Sequence, residues 1–395
     1  MNKSNLIQIG VILRANEQIG TGHLMRIKSL LPKLKEHAHL TLYVYNFAPV
    51  LKPLCSDYDD IVTFETKEDI LSHLKDKLAQ GQSIADLFII DDYAIDKSFE
   101  SELYPYSKIF VIDDLANREH QCHMLLDQTL FTKEQEYQKL CPQDCELLLG
   151  SQYSLTKECF YPQYFDFDHH STCSCLCHQL PFSARAIAIA SKAQHKDIKQ
   201  AHNPTSLILP KVLVNFGGAD PAGACLLTFK AVVSEQLYQK YDFYFLLGAA
   251  NKDFDLINKL LSDLPEDTQK RIKLISHCND VADLLYRFDL AIGAYGGMFR
   301  ERIAAAIPTI GVEIADNQAG AQEIVKHLQI GLSLTLDELH NGKCVTQALT
   351  TLTEQADTYT KNCQAIYDGQ GLNRIVAKML SLLSCPSMRS SNAQG

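Results

Sequence analysis

The stretch Ile7-Gln8-Ile9-Gly10-Val11-Ile12-Leu13-Arg14 leads, four residues on, into Ile19-Gly20-Thr21-Gly22-His23-Leu24-Met25-Arg26. Ile7 to Leu13 is an apolar run that stops at Arg14, the pattern of a buried strand. The glycines after it predict a tight turn. Leu24, Met25, Ile27, Leu30, Leu31 and Leu34 then recur at helical spacing. A strand, a glycine-rich turn and a helix together open an α/β unit built on a parallel sheet.

The same alternation continues outward. Leu40–Val44, Ile61–Phe64, Leu87–Ile90 and Ile109–Ile112 read as strands, with helical patterns such as Asp69–Ala79 between them. A second series starts at Lys211, with strands expected at Val212–Phe216, Tyr241–Leu247, Ile272–Ile275, Leu290–Gly293 and Thr309–Val312. Helices are expected at Ala224–Val233, Asp253–Leu264, Val281–Arg287 and Met298–Ala306, and from Leu336 to Leu383. The fold class is therefore α/β, with two Rossmann-like domains on parallel sheets. Their expected ranges are 1–160 and 210–385. Between them, 161–209 mixes Asp, His, Ser, Cys and Gln in irregular order and reads as a linker or insertion, partly mobile. The polar stretch 386–395 reads as a disordered tail.

Composition excludes several classes. The chain has 395 residues, enough for two domains of about 100–200 each. Its net charge of −10 provides no broad basic field for nucleic acid or an anionic membrane. No apolar run approaches the ~18 residues of a membrane span, and the N-terminal stretch lacks a signal-peptide pattern. A cytoplasmic protein with no stable membrane insertion is expected. The 13 cysteines are scattered from Cys55 to Cys385, as expected of reduced thiols rather than a disulfide framework.

Ligands of open parallel sheets bind beyond the carboxyl ends of the strands. There, Gly20-Thr21-Gly22-His23 places a histidine in the first turn of a helix. A neutral imidazole in that place can take a proton near pH 7. The alternative is a histidine that only caps or packs at the turn. Asp91-Asp92-Tyr93 and Asp113-Asp114 each follow an apolar strand, where most such carboxylates cap helices or make structural hydrogen bonds. Tyr93 either projects its hydroxyl to a ligand or packs.

In the second half, Gly296-Gly297 precedes a helix whose N–H groups suit a pyrophosphate. Glu301, one turn on, is placed either to hold ribose hydroxyls or to complement the helix dipole. Gly217-Gly218-Ala219-Asp220-Pro221 is a second phosphate-type turn, and Asn317 and Gln318 follow a strand with amides able to reach sugar or phosphate oxygens. No GxxxxGK[ST] loop and no GxGxxG fingerprint is present, which argues against a P-loop nucleotidase and against NAD or FAD. His169-His170 with Cys173, Cys175, Cys177 and His178 lacks the spacing of structural zinc sites, so incidental composition is the preferred reading and no metal is expected.

The ordered set resembles the UDP-2,4-diacetamido-2,4,6-trideoxy-β-L-altropyranose hydrolases of pseudaminic acid biosynthesis, relatives of the MurG-like GT-B glycosyltransferases. The resemblance rests on Arg14-Ala15-Asn16, Ile19 to Arg26, Ile112-Asp113-Asp114-Leu115-Ala116-Asn117-Arg118 and Leu148 to Leu155. It continues through Leu213 to Pro221, Arg300-Glu301 and Ile314-Ala315-Asp316-Asn317-Gln318. It implies two domains facing a central cleft. It also implies that His23 is the base, that Tyr93 assists, and that UDP is held by Gly296, Gly297, Glu301 and Asn317. Arg14, Gly22, Lys157, Gly217 and Gln318 are the further substrate-binding candidates. The implied reaction is inverting hydrolysis of a UDP-sugar at the anomeric carbon, without metal or cofactor. The sequence departs from the family's pattern at three residues, and its segment from about Tyr161 to Leu209 is longer than the family needs. Asn16 stands where an aspartate is usual, Lys157 near a usual arginine, and Met298 near a usual small hydroxyl residue. Two other readings remain: a glycosyltransferase of the same fold using a UDP-sugar donor, and an inactive sugar-nucleotide binding protein.

Overall fold

The computed structural model describes residues 6–16, 22–130, 133–167, 180–194, 209–248, 251–276, 278–315, 318 and 320–384. The first seven strands are β1 (Ile7–Arg14), β2 (Ala38–Tyr45), β3 (Asp60–Phe64), β4 (Leu87–Asp91), β5 (Lys108–Ile112), β6 (Met124–Asp127) and β7 (Glu146–Leu149). They form one parallel sheet in the order β3-β2-β1-β4-β5-β6-β7. The chain thus runs outward from β1 to β3 and then returns to lay β4 beside β1. The connections leaving β1 and β4 diverge, and a crevice opens at the carboxyl ends of those two strands.

Period-two alternation along β1 serves both faces of this sheet. Ile9, Val11 and Leu13 share one core with Leu24, Ile27, Leu31 and Leu34, whereas Ile12 packs on the other face with Phe88, Ile90 and Phe99. The helical stretch after β1 is two pieces, Gly22–Lys28 and Leu31–Leu34. Pro32 lies in the first turn of the second piece, and it has no N–H to continue the first.

The second sheet comprises β8 (Lys211–Asn215), β9 (Asp242–Leu246), β10 (Ile272–Ile275), β11 (Leu290–Ala294), β12 (Thr309–Val312) and β13 (Gly331–Leu334). Its order is β10-β9-β8-β11-β12-β13, again parallel throughout. The topology repeats that of the first sheet, with the switch point between β8 and β11. A core of Val212, Val214, Phe216, Phe243, Phe245, Ile292 and Ile310 fills one face of it.

Two of the expected domain bounds are corrected. The chain divides into Met1–Thr156 with Gly369–Gly395, and Lys157–Asp368. The last helix, Gly371–Ser384, lies inside the expected range 210–385, yet it belongs to the first unit. Leu372, Ile375, Val376 and Met379 form its apolar stripe, and all four lie in the core that Leu24 and Ile27 also build. The second correction concerns the expected linker. Of 161–209, residues 168–179 and 195–208 lie outside those described. The remainder is built into the second unit. Phe165 and Phe167 pack on Tyr286, with the Phe165 and Tyr286 rings 4.2 Å apart between centroids, and Phe182 packs on both phenylalanines. The helix Ala184–Gln194 buries Ala186 and Ile189. Ala186 and Ile189 of the short apolar run are thus the buried face of a docked helix.

The expected tail 386–395 lies outside the described residues. None of the nine described cysteines is in a disulfide. No described helix is long and apolar enough to cross a membrane.

Candidate functional site

At the first switch point the loops after β1 and β4 bring His23 and Asp91 together. Asp91 ends β4 and is fully buried. His23 is the second residue of the helix Gly22–Lys28, and 8% of it is exposed. Its Nδ1 lies 2.7 Å from Asp91 Oδ1. Arg26, one turn further on the same helix, donates from Nε to Asp91 Oδ2 at 2.6 Å and from Nη2 to Oδ1. Burial opposes the charge of both groups, but their mutual attraction prevails. Arg26 is held above its ordinary pKa and Asp91 below its own. An ionised Asp91 only accepts, so Nδ1 of His23 must carry the hydrogen in that bond. In the neutral ring Nε2 then keeps its lone pair.

A second carboxylate completes the cluster. Asp114 Oδ2 accepts from Arg26 Nη1 at 3.1 Å, and Asp114 Oδ1 accepts from the Tyr93 hydroxyl at 2.5 Å. The Tyr93 ring meets His23 edge-on, with centroids 4.9 Å apart. Burial, with the Asp114 charge next, pushes the Tyr93 hydroxyl above its ordinary pKa. Tyr93 therefore stays protonated and serves as a donor. Arg14 stands apart from this group, on Asp92 at 3.3 Å, and Asp92 also accepts from the Tyr45 hydroxyl. Gly22 opens the helix with empty space where a Cβ would stand. Gly20 and Thr21 of the motif lie outside the described residues.

The strand-end aspartates thus make structural hydrogen bonds to side chains, and the cap of the next helix is Asp96. Sequence reasoning assigned no function to Asp91, Arg26 and Asp114. One signal was available: His23 and Arg26 are three apart on a helix and so share a face.

In the second unit, Gly217 follows β8 with φ +93°, and neither it nor Gly218 has an atom within 4 Å of a notional Cβ. Asp220 accepts from the N–H groups of Ala224 and Cys225 and so caps the next helix. Gly296 and Gly297 follow β11 and begin the helix Gly297–Ala304, again with open space at both Cβ positions. Arg302 of that helix is fully buried and donates to Ala294 O at 2.6 Å and Asn215 O at 3.5 Å. It thereby ties the carboxyl ends of β8 and β11 together, and the two glycine turns flank one switch point. Burial lowers the Arg302 guanidinium to about 10.

The Glu301 backbone carbonyl accepts from Ala305 N–H at 2.9 Å, but its carboxylate accepts no hydrogen bond from the described residues. Burial raises its carboxyl above the ordinary value, against the charges of Arg300, Lys157 and Arg302. Lys157 is therefore near Glu301 within this unit. Gln318 uses its amide oxygen on Ile314 N at 3.1 Å, which fixes its own turn. Asn317 lies outside the described residues.

These features can be set beside known proteins. MurG of Acinetobacter baumannii superposes with a TM-score of 0.59 at 10% identity, over 95% of this chain and 99% of its own. The S. aureus MnaA–UDP structure gives 0.56 at 14% identity, over 98% and 100%. The fold is of the GT-B type. UDP-GlcNAc 2-epimerase from Neisseria meningitidis, solved with UDP-GlcNAc, gives 0.55 at 14% identity over 95% and 100%. By sequence, the chain is similar to the Bacillus subtilis spore coat polysaccharide biosynthesis protein SpsG, at 22% identity over 174 residues. That match covers 43% of this chain and about half the length of the relative, 50%. No protein-family model matches the chain.

Proposed function

We propose that this chain hydrolyses a UDP-linked 2,4-diacetamido-2,4,6-trideoxy sugar at its anomeric carbon, releasing UDP and the free sugar for nonulosonic (pseudaminic) acid synthesis. The observation that carries this reading is the 2.7 Å contact between His23 Nδ1 and Asp91, which leaves Nε2 as a proton acceptor. His23 takes a proton from water as that water attacks the anomeric carbon. Asp91 orients the ring and stabilises the imidazolium that forms. Tyr93 positions the ring edge-on and keeps Asp114 in place. A single displacement from the face opposite the leaving group inverts the anomeric centre.

The nucleotide contacts assigned in the second unit are Gly217, Gly296, Gly297, Glu301, Asn317 and Gln318, with Lys157. Backbone N–H groups at glycines without a Cβ let a diphosphate approach closely. A carboxylate with no donor among the described residues suits the two hydroxyls of a ribose. Support also comes from the company this fold keeps: solved neighbours include one with UDP and one with UDP-GlcNAc, and the curated relative is a polysaccharide biosynthesis protein. UDP is a good leaving group, and the scheme needs no metal ion.

The test is incubation with the UDP-linked 2,4-diacetamido sugar, with and without added acceptor sugars, followed by phosphorus and proton NMR. UDP and free sugar appearing at the same rate without acceptor supports hydrolysis. Release only when an acceptor is present makes the chain a glycosyltransferase instead.

A further inference from the structure

Three cysteines gather at the edge of the first sheet opposite the candidate active site. Cys122 precedes β6, Cys145 precedes β7, and Cys141 follows the helix Glu134–Leu140. They therefore lie toward the amino ends of β6 and β7, whereas Asp91 ends β4 at its carboxyl edge. Their three sulfur atoms all lie within 4.8 Å of one another, and the Cys122 and Cys145 sulfurs are 3.5 Å apart. Zn–S bonds of about 2.3 Å in a tetrahedron set neighbouring sulfurs about 3.8 Å apart, so the observed spacing matches a shared ion. Cys141 and Cys145 are separated by three residues, within the spacing of structural zinc ligand pairs.

A fourth donor lies nearby, outside the group of three sulfurs that share 4.8 Å. The backbone N–H of His120 donates to Leu140 O at 2.8 Å, which sets residue 120 beside the chain that enters Cys141. The His120 side chain is wholly buried, and its Nδ1 meets Glu100 Oε1 at 2.9 Å. Its Nε2 is buried with no hydrogen-bond partner. An unsatisfied buried acceptor is costly, and an imidazole whose other nitrogen is held by a carboxylate is the usual form of a metal-bound histidine. Cys122 is fully buried, while Cys141 and Cys145 are partly exposed and give an ion a path from solvent.

We propose that Cys122, Cys141, Cys145 and His120 bind one Zn²⁺ ion as a structural site, oriented by Glu100. The ion ties the loop before β6 to the loop before β7. The expectation of no metal weighed only the 169–178 stretch, and this site lies elsewhere. It is independent of the reaction proposed above.

The chain is purified under reducing conditions, dialysed against Zn²⁺-free buffer and assayed for zinc by mass spectrometry. One equivalent per chain is expected. Replacement by Co²⁺ is expected to give thiolate charge-transfer bands and the intense visible absorption of a tetrahedral cobalt site. Cys141→Ser and Cys145→Ser lose both signals, and Cys159→Ser, outside the cluster, keeps them. Glu100→Gln weakens Zn²⁺ affinity about 10- to 100-fold. If the serine variants do not fold, the wild-type chain decides the matter by its cobalt spectrum and by a Zn²⁺-dependent rise in Tm over the chelated protein. A reduced wild-type chain that retains no zinc and takes up Co²⁺ without thiolate bands overturns the proposal. So does recovery of a Cys122–Cys145 disulfide with no bound metal.

Discussion

An ionised carboxylate that accepts from one nitrogen of an imidazole decides what the other nitrogen can do. Asp91 does this for His23, and Arg26 in turn keeps Asp91 ionised. His23→Asn retains a polar group of similar size but no basic nitrogen. With the base gone, kcat is expected to fall about 10²–10⁴-fold while UDP affinity, measured by calorimetry, stays as in the wild type. Unchanged turnover removes His23 as base. His23 was legible in the sequence because a glycine turn between a strand and a helix is a local pattern. Its partner was not, because Asp91 lies 68 residues away and only the β1–β4 pairing brings it near.

Another residue ties stability to pH. Burial raises Asp127 from 3.8 to about 6, so the folded state holds that proton more tightly than the unfolded chain does. Its contribution is fully present below the unfolded value. Up to about 3 kcal/mol is lost as pH rises through the folded value. Asp127→Asn abolishes that loss. The difference in Tm between variant and wild type, followed by calorimetry, is therefore expected to be more favourable to the variant at pH 8 than at pH 4. An equal difference at both pH values contradicts the role assigned to burial.

Among the elements, the helix Ala184–Gln194 shows why a poorly patterned segment can still be structural. Arg185 donates to the carbonyls of Ala305 and Ala306 past the end of one helix, and to those of Leu285, the last residue of another, and Phe288 beyond it. A cation at two helix C-termini satisfies carbonyls that have no partner within their helices. Arg185→Ala is expected to destabilise the protein on the order of 3 kcal/mol, read from urea unfolding. A neutral result means the helix is only draped on the surface. Sequence periodicity could not reveal this docking, since the run 186–190 is a bare helical turn between polar residues.

The start of the helix Gly297–Ala304 is where the diphosphate is proposed to bind. A methyl added at Gly297 meets no protein atom within 4 Å, and alanine is the better helix former. Gly297→Ala is therefore expected to leave Tm unchanged or raised and to weaken UDP binding on the order of tenfold, because the methyl occupies the space a phosphate would approach. Equal UDP affinity in the two proteins moves the diphosphate elsewhere. Long strands such as β1 and β8 were legible as apolar runs. The four-residue strands β6, β7 and β13 were missed because they hold no β-branched residue, whereas β10 and β12, of the same length, carry Ile, Thr or Val and were legible.

The molecule as a whole uses one topology twice: the strand order of the first sheet, less its last strand, is that of the second. The parallel sheets were legible from alternation alone, since helices between strands supply the crossovers that parallel pairing needs, but the strand order was not. Which sheet the last helix would cover was not, because an apolar stripe names no partner. Ile375, fully buried in the first unit's core, makes the answer testable. Ile375→Ala is expected to cost about 2–5 kcal/mol and to speed amide exchange in β1 and β4 while leaving β8 and β11 protected. The reverse pattern of exchange assigns that helix to the second unit.

The most direct test of anomeric hydrolysis is where the oxygen of water goes. Turnover of the UDP-linked 2,4-diacetamido-2,4,6-trideoxy sugar in ¹⁸O-labelled water, followed by mass spectrometry, distinguishes attack at carbon from attack at phosphorus. Attack by a His23-activated water predicts label on the anomeric hydroxyl of the free sugar and none in UDP. Label in the phosphate of UDP, or no release of UDP without an acceptor, contradicts it.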